Sequence, residues 1–141
     1  MTVQYRPLNP QFLRKTITFT GGAGAGAIGQ ITVATPTGHV RIIKILPVCT
    51  TLLDDASAGT VSLGRAASVA ALIAATLGST IDSGEYWLDG TPAATFLAIP
   101  AALKDFMCST PITMDVLVAA IASGVLVFDI EYEPVNGGSL A

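Results

Sequence analysis

VLVFDIEYE, residues 125–133, alternates with a period of two. Leu126, Phe128, Ile130 and Tyr132 fall on one face, and Asp129, Glu131 and Glu133 on the other. An apolar face backed by a charged one is the pattern of a half-buried antiparallel strand. The stretch before it, Ile112 to Ile121, reads as a second strand. Ala122-Ser123-Gly124 between them reads as a short glycine-containing hairpin loop.

Working back from this pair, β signals dominate. Ile17 and Phe19 alternate with threonines, and Gln30 to Thr35 alternates again until Pro36 and Gly38 stop it. His39 to Leu46 is rich in Val and Ile, interrupted by Arg41 and Lys44, and Pro47 points to an edge or a bulge. Thr60 to Gly64 and Glu85 to Asp89 read as short strands, with Ala94 to Ile99 and Phe106 to Ser109 as further candidates. Pro100 to Lys104 suits a helical turn. Ala66 to Leu77 is ambiguous: its alanines favour helix, while its β surroundings favour an extended or irregular segment. About eight to ten short strands at this spacing predict an all-β fold, an antiparallel β-sandwich or jelly-roll-like domain. The expected organisation is an extended N-terminal arm over residues 1–15, a sandwich over 16–133 and a loose tail over 134–141.

Composition narrows the function classes. The 141 residues suit one domain. Half are hydrophobic, 12% are charged, and the mean hydropathy is positive. The charged share is about half that of a typical soluble domain. Much of the uncharged surface is therefore expected to be covered by copies of the chain or by partners. A net charge of −3 gives no reason to expect nucleic-acid binding. The longest charge-free apolar stretch, Ala66 to Ile81, is interrupted by Ser68, Thr76, Gly78, Ser79 and Thr80, so no membrane span is expected. Residues 1–7 lack an apolar core of the signal-peptide kind. Cys49 and Cys108 are then expected to be free, reduced thiols.

Gly24-Ala25-Gly26-Ala27-Ile28-Gly29 fits the dinucleotide string G-x-G-x-x-G. The string needs a helix after it, with its N-terminal N–H groups on a pyrophosphate, and an acid about 20 residues on. Here β-branched alternation follows, and the position near Lys44 is basic. Gly21 to Gly29 therefore reads as a flexible hairpin connection between the first two strands, and no nucleotide cofactor is expected. His39 is the single histidine, which argues against metal sites. A Ser-His-Asp triad using it, with Asp54 or Asp129 as orienter, lacks a Gly-x-Ser-x-Gly elbow, and Ser57 and Ser62 sit among small turn residues. Asp54-Asp55 lacks the spacing of a calcium loop. No catalytic residue, metal or cofactor is assigned, and the chain reads as non-enzymatic. Asp129, Glu131 and Glu133 form a negative stripe that is a solvated face, a patch meeting a basic partner or, least favoured, a metal site. Arg6, Arg14 and Lys15 of the arm of a neighbouring copy are the candidate bases. These six residues are the expected partner interface.

The arm before Thr16-Ile17-Thr18-Phe19, the glycine run and Leu46-Pro47-Val48-Cys49 follow one another in a distinctive order. So do the segment Ile81 to Asp89 and the closing Phe128-Asp129-Ile130-Glu131-Tyr132. In this order the chain resembles small structural proteins of tailed bacteriophages. The resemblance implies a virion component, made in the host cytoplasm and placed on the capsid surface. Such a protein decorates and cements the shell by bridging copies of the major capsid protein, and is often a homotrimer. The alternative is a tail or fibre component that adsorbs to a host, with exposed loops around Trp87 or Gly21–Gly29. The chain is short for the usual major capsid fold of tailed phages. A single jelly-roll capsid protein stays open.

Overall fold

The computed structural model describes residues 9–54 and 57–141. Eight strands carry the fold: β1 (Gln11–Thr18), β2 (Gly29–Ala34), β3 (Pro36–Thr51), β4 (Thr60–Arg65), β5 (Ser68–Leu77), β6 (Lys104–Cys108), β7 (Ile112–Leu117) and β8 (Val125–Leu140). They form two four-stranded sheets, β1-β8-β3-β6 and β2-β7-β4-β5. Every pairing is antiparallel. The order is that of a jelly roll. A long hairpin, in which β1 pairs β8, β2 pairs β7, β3 pairs β6 and β4 pairs β5, is rolled so that alternate pairs lie in opposite sheets.

This winding decides which connections are hairpins. Of the connections between successive strands, only Arg65-Ala66-Ala67-Ser68 turns between paired strands. The glycine run crosses from β1 in one sheet to β2 in the other, and residues 118–124 cross from β7 to β8. Both were expected as hairpin loops. Glycines and short turns are common to the two kinds of connection, and only the long-range pairing separates them.

The core lies between the sheets. Ile17, Ile42, Ile45, Leu126, Phe128 and Ile130 face Ile31, Val33, Val61, Leu63, Ile73, Met114 and Val116, all buried. Each such side chain contributes about 1.5–3 kcal/mol of burial. Trp87 closes the packing. It is fully buried, its ring meets Phe128 edge to face at 6.5 Å, and its Nε1 donates to Thr76 Oγ1 at 3.0 Å.

Several expected boundaries move. Gln11 to Lys15, expected in the arm, belong to β1, which pairs with β8 along its whole length. Residues 134–140, expected as a tail, extend β8, and Thr35 and Ala141 exchange backbone hydrogen bonds at 2.7 and 3.0 Å. In both places the backbone of a long neighbouring strand supplies the partner, and this outweighs local composition. The alanine-rich segment is extended, as β5. Glu85 to Asp89 forms no strand. Past the end of β6, Tyr86 makes isolated bridges to Val48 on β3 and to Ala93. Strand β7 stops at Leu117, where Val118 takes a positive φ of 74° and turns the chain away. Pro100 starts the expected helical turn, at Ala101–Leu103.

Candidate functional site

The acidic stripe of β8 is matched by bases of its own chain. Arg14 on β1 stands opposite Asp129 and grips it with two donors, Nε to Oδ1 at 2.7 Å and Nη2 to Oδ2 at 3.4 Å. The bond and the charge of Asp129 hold the Arg14 guanidinium above its ordinary value. Lys44 on β3 reaches Glu131, Nζ to Oε2 at 3.7 Å. Arg41 reaches Glu133 at 3.8 Å and also pairs with Asp105. The outer face of this sheet is thus a ladder of paired charges.

Of the six residues expected at an interface, the structure brings together Arg14 and Asp129, with Glu131 and Glu133 on the same face. Arg14, expected to reach a neighbouring copy, finds its partner within the chain. Lys15 is in register with Phe128, on the opposite face of β1 from Arg14. Arg6 lies outside the described residues, as does Asp55. The two bases that complete the ladder, Arg41 and Lys44, escaped the sequence reading because they are three residues apart. Simple alternation places such residues on opposite faces. A bulge between Ile42 and Lys44 resets the register and turns both outward.

Between the charged pairs runs an open groove of about 550 Å³, lined by Phe12, Leu13, Leu46 and Ile130 and walled by the Arg14–Asp129 and Lys44–Glu131 pairs. Phe12 is 74% exposed beside it.

The opposite sheet is electrically different. Strands β2, β4, β5 and β7 carry Arg65 and Asp115 and no other charge. The outward positions Gln30, Thr32 and Thr60 are uncharged, while Asp115, in register with Gln30 and Ser62, shares this face and is buried there along with Ser62 and Thr113. At one end an apolar row crosses the face. Leu117 and Leu77 both register with Thr60, and Ile28 precedes Gly29, which registers with Val116. Ile28, Leu77, Leu117 and the adjoining Val118 are exposed. The signal for this face was present in the sequence as the charge-free run Ala66 to Ile81.

The glycine run is a built turn. Thr20 and Gly21 both donate to the Ala25 carbonyl, and Ile121 N donates to Gly26 O at 2.8 Å. Gly26 has φ 116°, and a Cβ there would lie 2.0 Å from Ile121 O. Glycine is required because the chain from Ile121 to Ala122 passes against it. A strand follows the run, as expected.

The catalytic candidates are engaged elsewhere. Ser57 Oγ donates to Ala120 O and Ser62 Oγ to Val69 O, at 2.7 and 2.9 Å. Asp54 Oδ2 accepts from Ala122 N at 3.1 Å, and Asp129 holds Arg14. His39 is exposed on β3 opposite Val135. Cys49 and Cys108 are free and buried, and burial pushes the Cys49 thiol up to about 11 and raises Cys108. Among the described residues no three of His, Cys, Asp and Glu are grouped as metal ligands, and no helix is long and apolar enough to cross a membrane.

A chain of the cyanophage Pam1 capsid asymmetric unit superposes with a TM-score of 0.53 at 17% identity, over 95% of this chain and 93% of that one. The fold is that of a phage capsid chain. A chain of the acid-stable capsid of Helicobacter pylori bacteriophage KHP30 agrees, with a TM-score of 0.52 at 14% identity, over 94% of this chain and 98% of that one. No protein-family model and no curated protein matches the sequence. The jelly roll shared with these capsid chains spans nearly the whole length of each, so the likeness covers the complete sandwich and not one sheet of it.

Proposed function

We propose that the chain is a non-enzymatic structural protein of a phage virion, which decorates the capsid and cements it by bridging neighbouring capsid subunits. The observation that carries this reading is the division of charge between the two faces of the jelly roll. One face is a ladder of ion pairs suited to water. The other is nearly free of charge and ends in the exposed row Ile28, Leu77, Leu117 and Val118. Covering a face of this kind strips little hydration from charged groups, and its apolar row adds burial. The sharing of a fold with chains of two phage capsids supports the same reading. In this arrangement the uncharged sheet lies on the shell and the charged sheet faces outward. A contact of roughly 1,200–2,000 Å² per site suffices for stable attachment.

The tail or fibre alternative draws less from the structure. Trp87 is buried in the core, and the glycine run packs on its own chain. Co-sedimentation with undecorated capsids and, separately, with host cells tests the proposal. Binding to capsids is expected, and Leu117→Asp is expected to weaken it roughly ten-fold or more. Binding to cells and not to capsids overturns the reading in favour of host adsorption.

A further inference from the structure

At one end of the sandwich the turn from β4 to β5, Arg65-Ala66-Ala67-Ser68, meets Thr110 in the connection from β6 to β7. Together with Ala71 they line an open pocket of about 340 Å³. Its walls are held in place. A Cβ on Gly64 would lie 2.2 Å from Ser68 O, so the turn packs tightly on the end of β4. Ser62 Oγ donates to Val69 O at 2.9 Å, and Cys108 Sγ donates to Thr110 O at 3.1 Å.

Arg65 brings a positive charge to this pocket, and no acid lines it. The guanidinium carbon stands 5.1 Å from the centroid of the Phe106 ring, which fixes the head of the side chain. Arg14, Arg41 and Lys44 each have an acid beside them, whereas among the described residues Arg65 meets no carboxylate at ion-pair distance. Its Nε is buried and has no acceptor. A buried donor on a cation left without an acceptor is costly, and its presence calls for a ligand. The other polar side chains of the lining, Ser68 and Thr110, end in hydroxyls at exposed positions. The pocket thus offers one positive charge, two hydroxyls and three alanine methyl groups, and no negative charge.

We propose that this pocket binds a carboxylate group, with Arg65 as its counter-ion and the hydroxyls of Ser68 and Thr110 as further donors. A planar guanidinium matches a carboxylate in shape, and a single positive charge suits a monoanion better than a phosphate dianion. The volume is at the small end for ligand pockets, which suits a short acid and not a nucleotide. Ala66, Ala67 and Ala71 face the hydrocarbon next to the carboxylate. Filling the pocket breaks no ion pair, because Arg65 has none among the described residues to give up. The ring contact and the braced turn leave little ordering to be done on binding. Two sources carry this chemistry, a free small acid and an acidic side chain of the shell, and the test separates them.

Sodium acetate is the probe, followed by heteronuclear NMR of the Arg65 Nε–H signal, which is identified by its loss in Arg65→Gln. The signal is expected to move saturably, with half-saturation at about 10 mM or below. Sodium chloride at equal ionic strength is expected to leave it in place, and sodium phosphate to need a concentration roughly ten-fold higher. Ala71→Leu fills the pocket from an exposed position and keeps Arg65, and is expected to raise half-saturation by acetate roughly ten-fold or more. The rest of the spectrum reports that each variant is folded. Absence of a saturable shift, an equal shift with chloride, or an unaltered titration in folded Ala71→Leu overturns the proposal. Tighter binding of phosphate than of acetate overturns it as well. Capsid co-sedimentation of Arg65→Gln then gives the source: binding weakened roughly ten-fold assigns the carboxylate to the shell, and unchanged binding assigns it to a free acid. Failure of the unsubstituted chain to bind capsids rejects the proposed function alone, because the acetate titration uses no capsid.

Discussion

Lys44 stands opposite Glu131, with Nζ 3.7 Å from Oε2, because the ladder between β3 and β8 skips a residue between Ile42 and Lys44. Without that bulge Lys44 would face Ile130 in the core. The same bulge leaves Arg41 opposite Glu133, so the two bases line up on one face with the acids of β8.

The rungs of this ladder differ in burial. Glu133 is 8% exposed and sits beside a mostly buried Arg41, whereas Lys44, the partner of Glu131, is 44% exposed. Glu133→Gln is expected to cost about 1–3 kcal/mol, since Arg41 keeps Asp105 as a partner. Glu131→Gln is expected to cost less than about 1 kcal/mol. Urea unfolding of the two variants checks the order, and equal losses would refute it.

Thr76 and Trp87 join the edge of one sheet to the core of the other. Thr76→Val keeps the shape and leaves the indole N–H buried without an acceptor, at an expected cost of about 1–3 kcal/mol. Trp87→Ala opens a cavity between the sheets and is expected to cost about 3–5 kcal/mol. Thermal melts with near-ultraviolet circular dichroism as the probe measure both.

Two glycines of one run separate space from backbone strain. Gly24 has φ 71° and nothing within 4 Å of an added Cβ, while Gly26 would meet Ile121 O at 2.0 Å. Gly24→Ala is expected to cost about 1–2 kcal/mol, from its left-handed backbone alone. Gly26→Ala adds displacement of the 118–122 connection, for about 2–6 kcal/mol in all. Equal stabilities of the two variants would show that the packing on Ile121 does not hold the loop.

Alkali should weaken the fold through Cys49. The unfolded thiol releases its proton near 9.0, and the folded one holds it to about 11. Above pH 9 the unfolded chain therefore binds fewer protons than the folded chain. The stabilisation is complete below pH 9 and is lost as pH rises toward 11. At full ionisation of the folded thiol the loss is about 2–3 kcal/mol. Cys108 acts in the same direction. Denaturation midpoints from pH 8 to about pH 11 should fall, and Cys49→Ala should flatten the slope.

Local pattern made most strands legible. The alternation in Val125 to Glu133 named its buried face residue by residue, and Leu126, Phe128 and Ile130 are fully buried. The β-branched runs around Ile17, Ile31, Ile42 and Val61 became β1 to β4. The interface residues were less legible. Asp129, Glu131 and Glu133 were visible as a stripe, but their partners Arg41 and Lys44 were hidden by a bulge that leaves no local mark. Part of the low-charge sheet was visible as the run Ala66 to Ile81, whose exposed side could not be told from its buried side by composition.

The all-β class and the strands around Ile17, Ile31, Ile42, Val61 and Phe128 were legible in the sequence alone. Each rests on interactions within a few residues: side-chain alternation, proline and glycine breaks, and the absence of a helix start. The pairing of β1 with β8, the passage of the glycine run between sheets and the separation of charged from uncharged faces were decided by the tertiary structure. These depend on which distant backbone satisfies which hydrogen bonds. That is settled when the whole hairpin rolls up and buries Trp87 and Phe128 between its two layers.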